Sequence, residues 1–270
     1  MKITLLQQDI AWADPVENQR CSEEMILAAP HSDLYVLPEM WSTGFGKPSD
    51  FADGSSMIEG DACNASSLEW MRNMASRMDS AIAGSLAVKA EDGTWRNRFY
   101  FVRPDGTSEY YDKRHLFTYG NEHLSYTGGN ERKIVEWRGV RFLLQVCYDL
   151  RFPVFSRNIA VKNEKGECGA LYDCAIYVAS WPTSRIKPWN ILLKARALEN
   201  QCYVAGVNRI GDDPVCSYCG GTQFVDPYGR VVSACEENAV QSITSEIDME
   251  RLKAFRQKFP VLLDADEFSL

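Results

Sequence analysis

Leu34 to Leu37 and Phe142 to Val146 read as short strands that are apolar on both faces. A strand of that kind needs cover on both sides. Two sheets packed face to face, with helices outside each, meet that need. An ordinary doubly wound sheet with helices on both faces meets it too, and the pattern alone does not separate the two.

The rest of the chain supplies both kinds of element. Asp14-Pro15-Val16-Glu17 reads as an N-cap, a proline at the first helical position and a glutamate at the third, opening a helix to about Ala29. Leu68, Met71, Met74, Ala75 and Met78 recur at helical spacing, and such a stripe is core before it is anything else. Ala81 to Val88, Arg96 to Val102 and Ser108 to Tyr111 are strand-like, with Asp92-Gly93 and Asp105-Gly106 as the hairpin turns between them. A helix is expected from Cys147 through Phe155 and Ile159. Cys174 to Ala179 reads as strand, Trp189 to Asn200 as helix and Tyr203 to Asn208 as strand. Asp226-Pro-Tyr-Gly229 turns another hairpin, Gln241 to Ile247 is a further strand, and Met249 to Phe259 a last helix.

A chain of 270 residues can bury one large core or two small ones. No internal repeat, low-complexity run or Pro/Gly-rich linker divides it, so residues 1–270 are read as a single domain. No apolar stretch approaches a membrane span, and Met1 to Gln7 is a strand pattern without a signal peptide's apolar region. A cytoplasmic protein is expected. The net charge of −8 disfavours nucleic acid and anionic membranes as partners. A small anionic substrate is still compatible, because a few local arginines can invert the field in a pocket. Nine scattered cysteines do not form a secreted disulfide framework. Cys216-Ser-Tyr-Cys219 has the gap of a zinc half-site, but Cys168, Cys174 or a distant His would have to complete it at irregular spacing. These thiols are read as ordinary core and loop residues.

Three strand ends carry candidate chemistry. Cys147 stands where the pattern Arg141 to Val146 stops, and free N–H groups of a following helix would favour its thiolate. Glu39 follows Leu34-Tyr-Val-Leu-Pro38, among Met40, Trp41 and Phe45, which would bury it as a general base requires. Lys113 lies between an aromatic strand and the apolar pair Leu116-Phe117. Singly, each has a bland reading: a core thiol, a loop acid, a surface lysine.

Together, in that chain order, they resemble the Glu-Lys-Cys triad of the nitrilase superfamily of carbon–nitrogen hydrolases. Six blocks carry the resemblance along the chain: Leu37-Pro-Glu39-Met-Trp41, Tyr111-Asp-Lys113-Arg-His-Leu-Phe117, Glu122-His-Leu-Ser-Tyr-Thr-Gly128, Cys147-Tyr-Asp-Leu-Arg-Phe-Pro153, Ala195-Arg-Ala-Leu-Glu-Asn200 and Gly220-Gly-Thr-Gln-Phe-Val-Asp-Pro-Tyr-Gly229. The Cys147 block and Ser180-Trp-Pro-x-x-Arg185-x-x-x-Trp189 look most like the omega-amidase branch, which hydrolyses the side-chain amide of 2-oxo acids such as 2-oxoglutaramate.

The resemblance implies a mixed α/β fold, the four-layer α-β-β-α sandwich, assembled as a homodimer or higher homo-oligomer. It implies that Cys147 attacks the amide carbon, that Glu39 moves protons, and that Lys113 with the backbone N–H of Tyr148 holds the oxyanion. No metal or organic cofactor is called for. Glu122 matches a second acid near the lysine; on its own it reads equally as a loop acid beside His123. A substrate carboxylate would need an arginine, and Arg151 and Arg185 are the candidates, with Tyr148 and Trp181 as pocket walls. Arg151 has a second reading, orienting the cysteine turn with Asp149. Competing expectations are a nitrilase or another amidase of the same fold, a non-catalytic interaction protein, and a Cys–His hydrolase using His115 or His123.

Overall fold

The computed structural model describes residues 1–48, 61–162 and 168–266. The first sheet is built from β1 (Lys2–Gln7), β2 (Leu34–Val36), β3 (Ala81–Lys89), β4 (Trp95–Val102) and β5 (Ser108–Asp112). The second begins with β6 (Ile134–Trp137) and β7 (Val140–Val146). A small hairpin of β8 (Ala160–Lys162) and β9 (Cys168–Ala170) interrupts it before β10 (Cys174–Ala179) and β11 (Tyr203–Asn208). A second small hairpin, β12 (Ile210–Asp212) and β13 (Ser217–Cys219), precedes β14 (Gln223–Val225) and β15 (Val231–Ala234). The last strand, β16 (Gln241–Glu246), returns to the first sheet beside β1.

The strand orders are β16-β1-β2-β3-β4-β5 and β15-β14-β11-β10-β7-β6. Each sheet has a parallel trio (β1-β2-β3 and β7-β10-β11) with antiparallel strands on either side. The two halves therefore repeat one pairing scheme that the sequence does not display.

Among the described residues, α1 (Pro15–Ala28) and α2 (Asp61–Met78) pack on the first sheet and α3 (Ile186–Asn200) on the second, while Arg256 of α4 (Met249–Lys258) bonds to Tyr172, Asp173 and Gln201 just before β10 and β11. Side chains alternate along the strands to serve both neighbours. Ile3, Leu5, Leu34, Val36, Ala81 and Ala83 join Phe142, Leu144 and Val146 in the core between the sheets, where the Phe101 and Phe142 rings lie 5.9 Å apart. Leu6, Tyr35, Leu37, Ile82 and Leu86 form a separate core with Ile26 of α1 and Met71, Met74 and Ala75 of α2. The methionine stripe is thus core. On the far side Gly206 of β11 lies against Leu193 and Trp189 of α3, and a Cβ there would collide with Leu193. The result is the expected four-layer α-β-β-α sandwich, and the strands apolar on both faces lie where two layers cover them.

Local signals explain several boundaries. Asp14 caps α1 by accepting the Glu17 N–H at 3.0 Å, with Pro15 in the first turn. Gly93 and Gly106 take φ of 79° and 81° in their hairpins, a region that other residues enter only at a cost. Helix α3 starts three residues before the expected Trp189.

One element is corrected. No helix runs from Cys147 to Ile159; a single 3₁₀ turn, Cys147–Arg151, takes its place. Pro153 lacks a donor and forces its predecessor out of the helical region, and Phe152 has φ −115° and ψ 87°.

Candidate active site

Glu39, Lys113 and Cys147 leave their strands at the same end of the sandwich, and the two sheets bring them together. After β2 the chain stays on β3: the Leu37 N–H donates to the Ala83 carbonyl at 2.7 Å and the Met40 N–H to the Ser85 hydroxyl at 2.9 Å. Lys113 follows β5, its N–H donating to the Asn97 carbonyl of β4 at 2.9 Å. Cys147 follows β7 with φ of 45°, and Met40, next to Glu39, has φ of 44°. Positive φ at two bulky residues beside the candidate groups is backbone strain held in place by packing.

Glu39, Lys113 and Glu122 are buried, and their charged groups touch. Lys113 Nζ donates to Glu39 Oε1 at 2.8 Å and lies 2.9 Å from Glu122 Oε2. Asn97 Nδ2 reaches Glu39 Oε1 at 2.7 Å and Glu122 Oε1 at 3.2 Å. The Ser180 N–H, at the end of β10, donates to Glu39 Oε2 at 2.8 Å. One carboxylate thus ties the first sheet to the second. Glu122 Oε2 also accepts the Phe117 N–H at 2.6 Å, which fixes the short turn Glu122–Leu124.

The electrostatics follow from burial and mutual charge. Burial opposes the Lys113 charge, but Glu122, Glu39 and Cys147 outweigh it and hold the ammonium above the ordinary lysine range. Burial pushes the Glu122 carboxyl up; the lysine pulls it back and the Glu39 charge pushes it further. Burial, then the Glu39 charge, drive the Cys147 thiol well above its ordinary value, against the pull of Lys113. The helix expected to favour the thiolate is absent, and a single 3₁₀ turn has little dipole to offer in its place.

The turn carrying Cys147 is anchored by Asp149. Its Oδ2 accepts the Val146 N–H at 2.9 Å and the Tyr111 hydroxyl at 2.8 Å. Its Oδ1 accepts the His115 N–H at 3.0 Å and pairs with His115 Nδ1 at 2.8 Å. His115 stacks on Phe152 with centroids 3.9 Å apart. His115 is thus committed to Asp149, and His123 is exposed, so neither is placed as a base for Cys147. Arg151 does not pair with Asp149, contrary to one reading of the sequence; Tyr111 and His115 hold those oxygens.

Cys147 opens into a narrow cavity of ≈ 60 Å³, with Phe45, Phe117, Tyr148 and Trp181 among its walls. Arg151 and Arg185 also line it. Arg151 lies over the Trp181 ring at 5.0 Å and Arg185 over Phe117 at 5.3 Å. Neither has an acidic partner among the described residues. Two guanidinium groups lining one cavity could offer directional donors to an anion. Among the described residues no group of three His, Cys, Asp or Glu side chains could hold a metal. Cys216 is a wall of the same cavity and Cys219 is buried in β13; the Cys168 side chain lies outside what is described.

Sequence reading missed Asn97, the Ser180 N–H, and Tyr218 and Cys216 of the β12–β13 hairpin. An interior Asn in the strand pattern Trp95-Arg-Asn97-Arg was the available signal, since a buried amide needs partners.

Residues 2–257 match the family model described as carbon-nitrogen hydrolase. The chain is 45% identical to the omega-amidase YafV of Escherichia coli, covering 100% of this chain and 98% of that protein. It is 34% identical to a 2-oxoglutaramate amidase of Bacillus subtilis, over 97% and 96% of the two. A solved structure of a CN-hydrolase superfamily protein from Xanthomonas campestris, with an arsenic adduct in its active site, superposes with a TM-score of 0.89 at 39% identity. That match covers 100% of this chain and 98% of the other.

Proposed function

The chain belongs to the carbon–nitrogen hydrolase family, and on that premise we propose that it is an omega-amidase, hydrolysing the side-chain amide of 2-oxo dicarboxylic acid monoamides such as 2-oxoglutaramate and 2-oxosuccinamate. The observation that carries this reading is the buried Glu39–Lys113–Glu122 cluster beside Cys147, at the end of a cavity with two arginines that have no acidic partner among the described residues. The 45% and 34% identities to the omega-amidase and the 2-oxoglutaramate amidase support the substrate class.

An amide resists water because its carbonyl is a weak electrophile and its amine a poor leaving group. In the proposed cycle the Cys147 sulfur bonds to the amide carbon as its proton passes to Glu39. The carbonyl π pair becomes an oxyanion. Lys113 has three N–H donors and spends two on the glutamates, which leaves one for the oxyanion. The Tyr148 N–H is the second donor. Collapse breaks the carbon–nitrogen bond, the nitrogen takes the proton from Glu39, and ammonia leaves a thioester. Glu39 then takes a proton from water, whose oxygen attacks the thioester carbon, and returns it to the departing sulfur. Glu122 keeps the Lys113 ammonium charged and aimed. Arg151 and Arg185 receive the distal carboxylate and the 2-oxo oxygen, with Trp181 and Tyr148 as walls. An amino acid amide such as glutamine would bring an ammonium against both guanidinium groups.

Ammonia release from 2-oxoglutaramate, 2-oxosuccinamate, glutamine and a simple aliphatic nitrile tests the reading. Fast release from the oxo-acid amides alone, lost in Cys147→Ala, is expected. Preference for glutamine or the nitrile would overturn the substrate class.

A further inference from the structure

We propose that Asn97 is a positioning residue of this site, which assigns proton transfer to one oxygen of Glu39 and couples the two buried glutamates. This rests on the hydrolytic reading above, because it concerns the same base.

The argument is an accounting of lone pairs. A carboxylate oxygen has two. Glu39 Oε1 accepts from Lys113 Nζ at 2.8 Å and from Asn97 Nδ2 at 2.7 Å, so it is filled. Glu39 Oε2 accepts from the Ser180 N–H at 2.8 Å and keeps one lone pair. Oε2 is therefore the oxygen that takes the Cys147 proton. When it does, none of the three existing hydrogen bonds has to break.

Asn97 also reaches Glu122 Oε1 at 3.2 Å, where Lys113 Nζ stands at 3.1 Å. The same two donors thus hold Oε1 of both glutamates, in a closed ring of four side chains. The Asn97 carbonyl accepts the Lys113 N–H, so β4 positions the lysine as well. Asn97 is 1% exposed, and its Oδ1 has no hydrogen-bond partner among the described residues. The amide is retained here for its NH₂ group, which bridges two carboxylates as a hydrocarbon could not.

Removing that donor leaves the charge on both glutamates less screened. The stronger negative potential then disfavours thiolate formation at Cys147. The proposal is tested with Asn97→Ala and Asn97→Ser, checked for native far-UV circular dichroism and a cooperative melt. For Asn97→Ala, kcat on the best amide should fall ~10–100-fold, with KM nearly unchanged. The acid limb of its kcat/KM profile should move up by ~0.5–1 pH unit. Ser keeps one donor, which cannot span both carboxylates, so it should recover only part of the turnover. If Ala does not fold, Ser carries the test by the same two readouts. Wild-type kcat and profile in a folded variant, or a raised KM at unchanged kcat, would overturn the proposal.

The pH dependence of Cys147 alkylation by iodoacetamide separates the two readings. If the wild type hydrolyses no amide offered, the substrate reading fails. The alkylation profile of Asn97→Ala should still lie at higher pH than that of the wild type, and coincidence of the two would reject Asn97 independently.

Discussion

The Tyr111 hydroxyl of β5 donates to Asp149 Oδ2 at 2.8 Å, and this bond joins the strand that delivers Lys113 to the turn that carries Cys147. The two groups come from different sheets, so their separation depends on contacts of this kind. Asp149 accepts the Val146 N–H on the same oxygen, which fixes the backbone immediately before the cysteine. Tyr111→Phe removes one buried hydrogen bond to a charged acceptor. We expect a loss of about 1.5–3 kcal/mol in urea unfolding, and a lower kcat with little change in KM. Wild-type stability and kcat would show that the bond does not hold the turn.

Glu39→Gln should separate turnover from thiol reactivity. Turnover should fall by ~10²–10⁴-fold, because the proton carrier is gone. Burial still pushes the Cys147 thiol up, but the Glu39 charge, the next cause, is removed while Lys113 remains. Alkylation of Cys147 by iodoacetamide at neutral pH should therefore persist and become faster. Parallel loss of both activities would contradict the electrostatic account.

The Glu122 carboxyl is pushed up, chiefly by burial, so the folded state binds its proton more tightly than the unfolded chain does. Its stabilising contribution is complete below the unfolded value of about 4.3 and is lost as pH rises through the folded one. Glu122→Gln lacks that dependence. Its stability relative to wild type should improve steadily from acid to neutral pH, while its turnover is reduced. Chemical denaturation at several pH values would reveal this, and a flat difference or an unchanged rate would exclude the role.

Arg151→Ala and Arg185→Ala each remove a cavity-lining arginine that has no acidic partner among the described residues. Loss of a charge-assisted hydrogen bond should raise KM for anionic amides by ~10–100-fold. A neutral amide of the same length should be affected much less. Lysine should restore little, since a point charge does not reproduce the planar fork. Equal effects on both amides would remove that arginine from substrate recognition.

Local pattern placed Glu39, Lys113 and Cys147 at strand ends, where each had a bland reading singly, and only their chain order and the six family-like blocks around them singled them out. The demand for cover on both faces of Leu34–Leu37 and Phe142–Val146 allowed a sandwich or a doubly wound sheet, and the family resemblance chose the four-layer sandwich. Other features lay beyond local pattern. Pro153 allows only a 3₁₀ turn after Cys147, and only tertiary packing decides what that turn rests on. The pairing of Asp149 with Tyr111 and His115 instead of Arg151 spans 38 and 34 residues of sequence. The bonds from Asn97 and the Ser180 N–H to Glu39 span 58 and 141. Sequence determines which residue types stand at strand ends, since that depends on neighbours a few positions away. Which of them can exchange a proton depends on burial, on charges that the first sheet brings within 3 Å of one another, and on the packing of the second sheet, which adds Cys147. Only the tertiary structure supplies those distances.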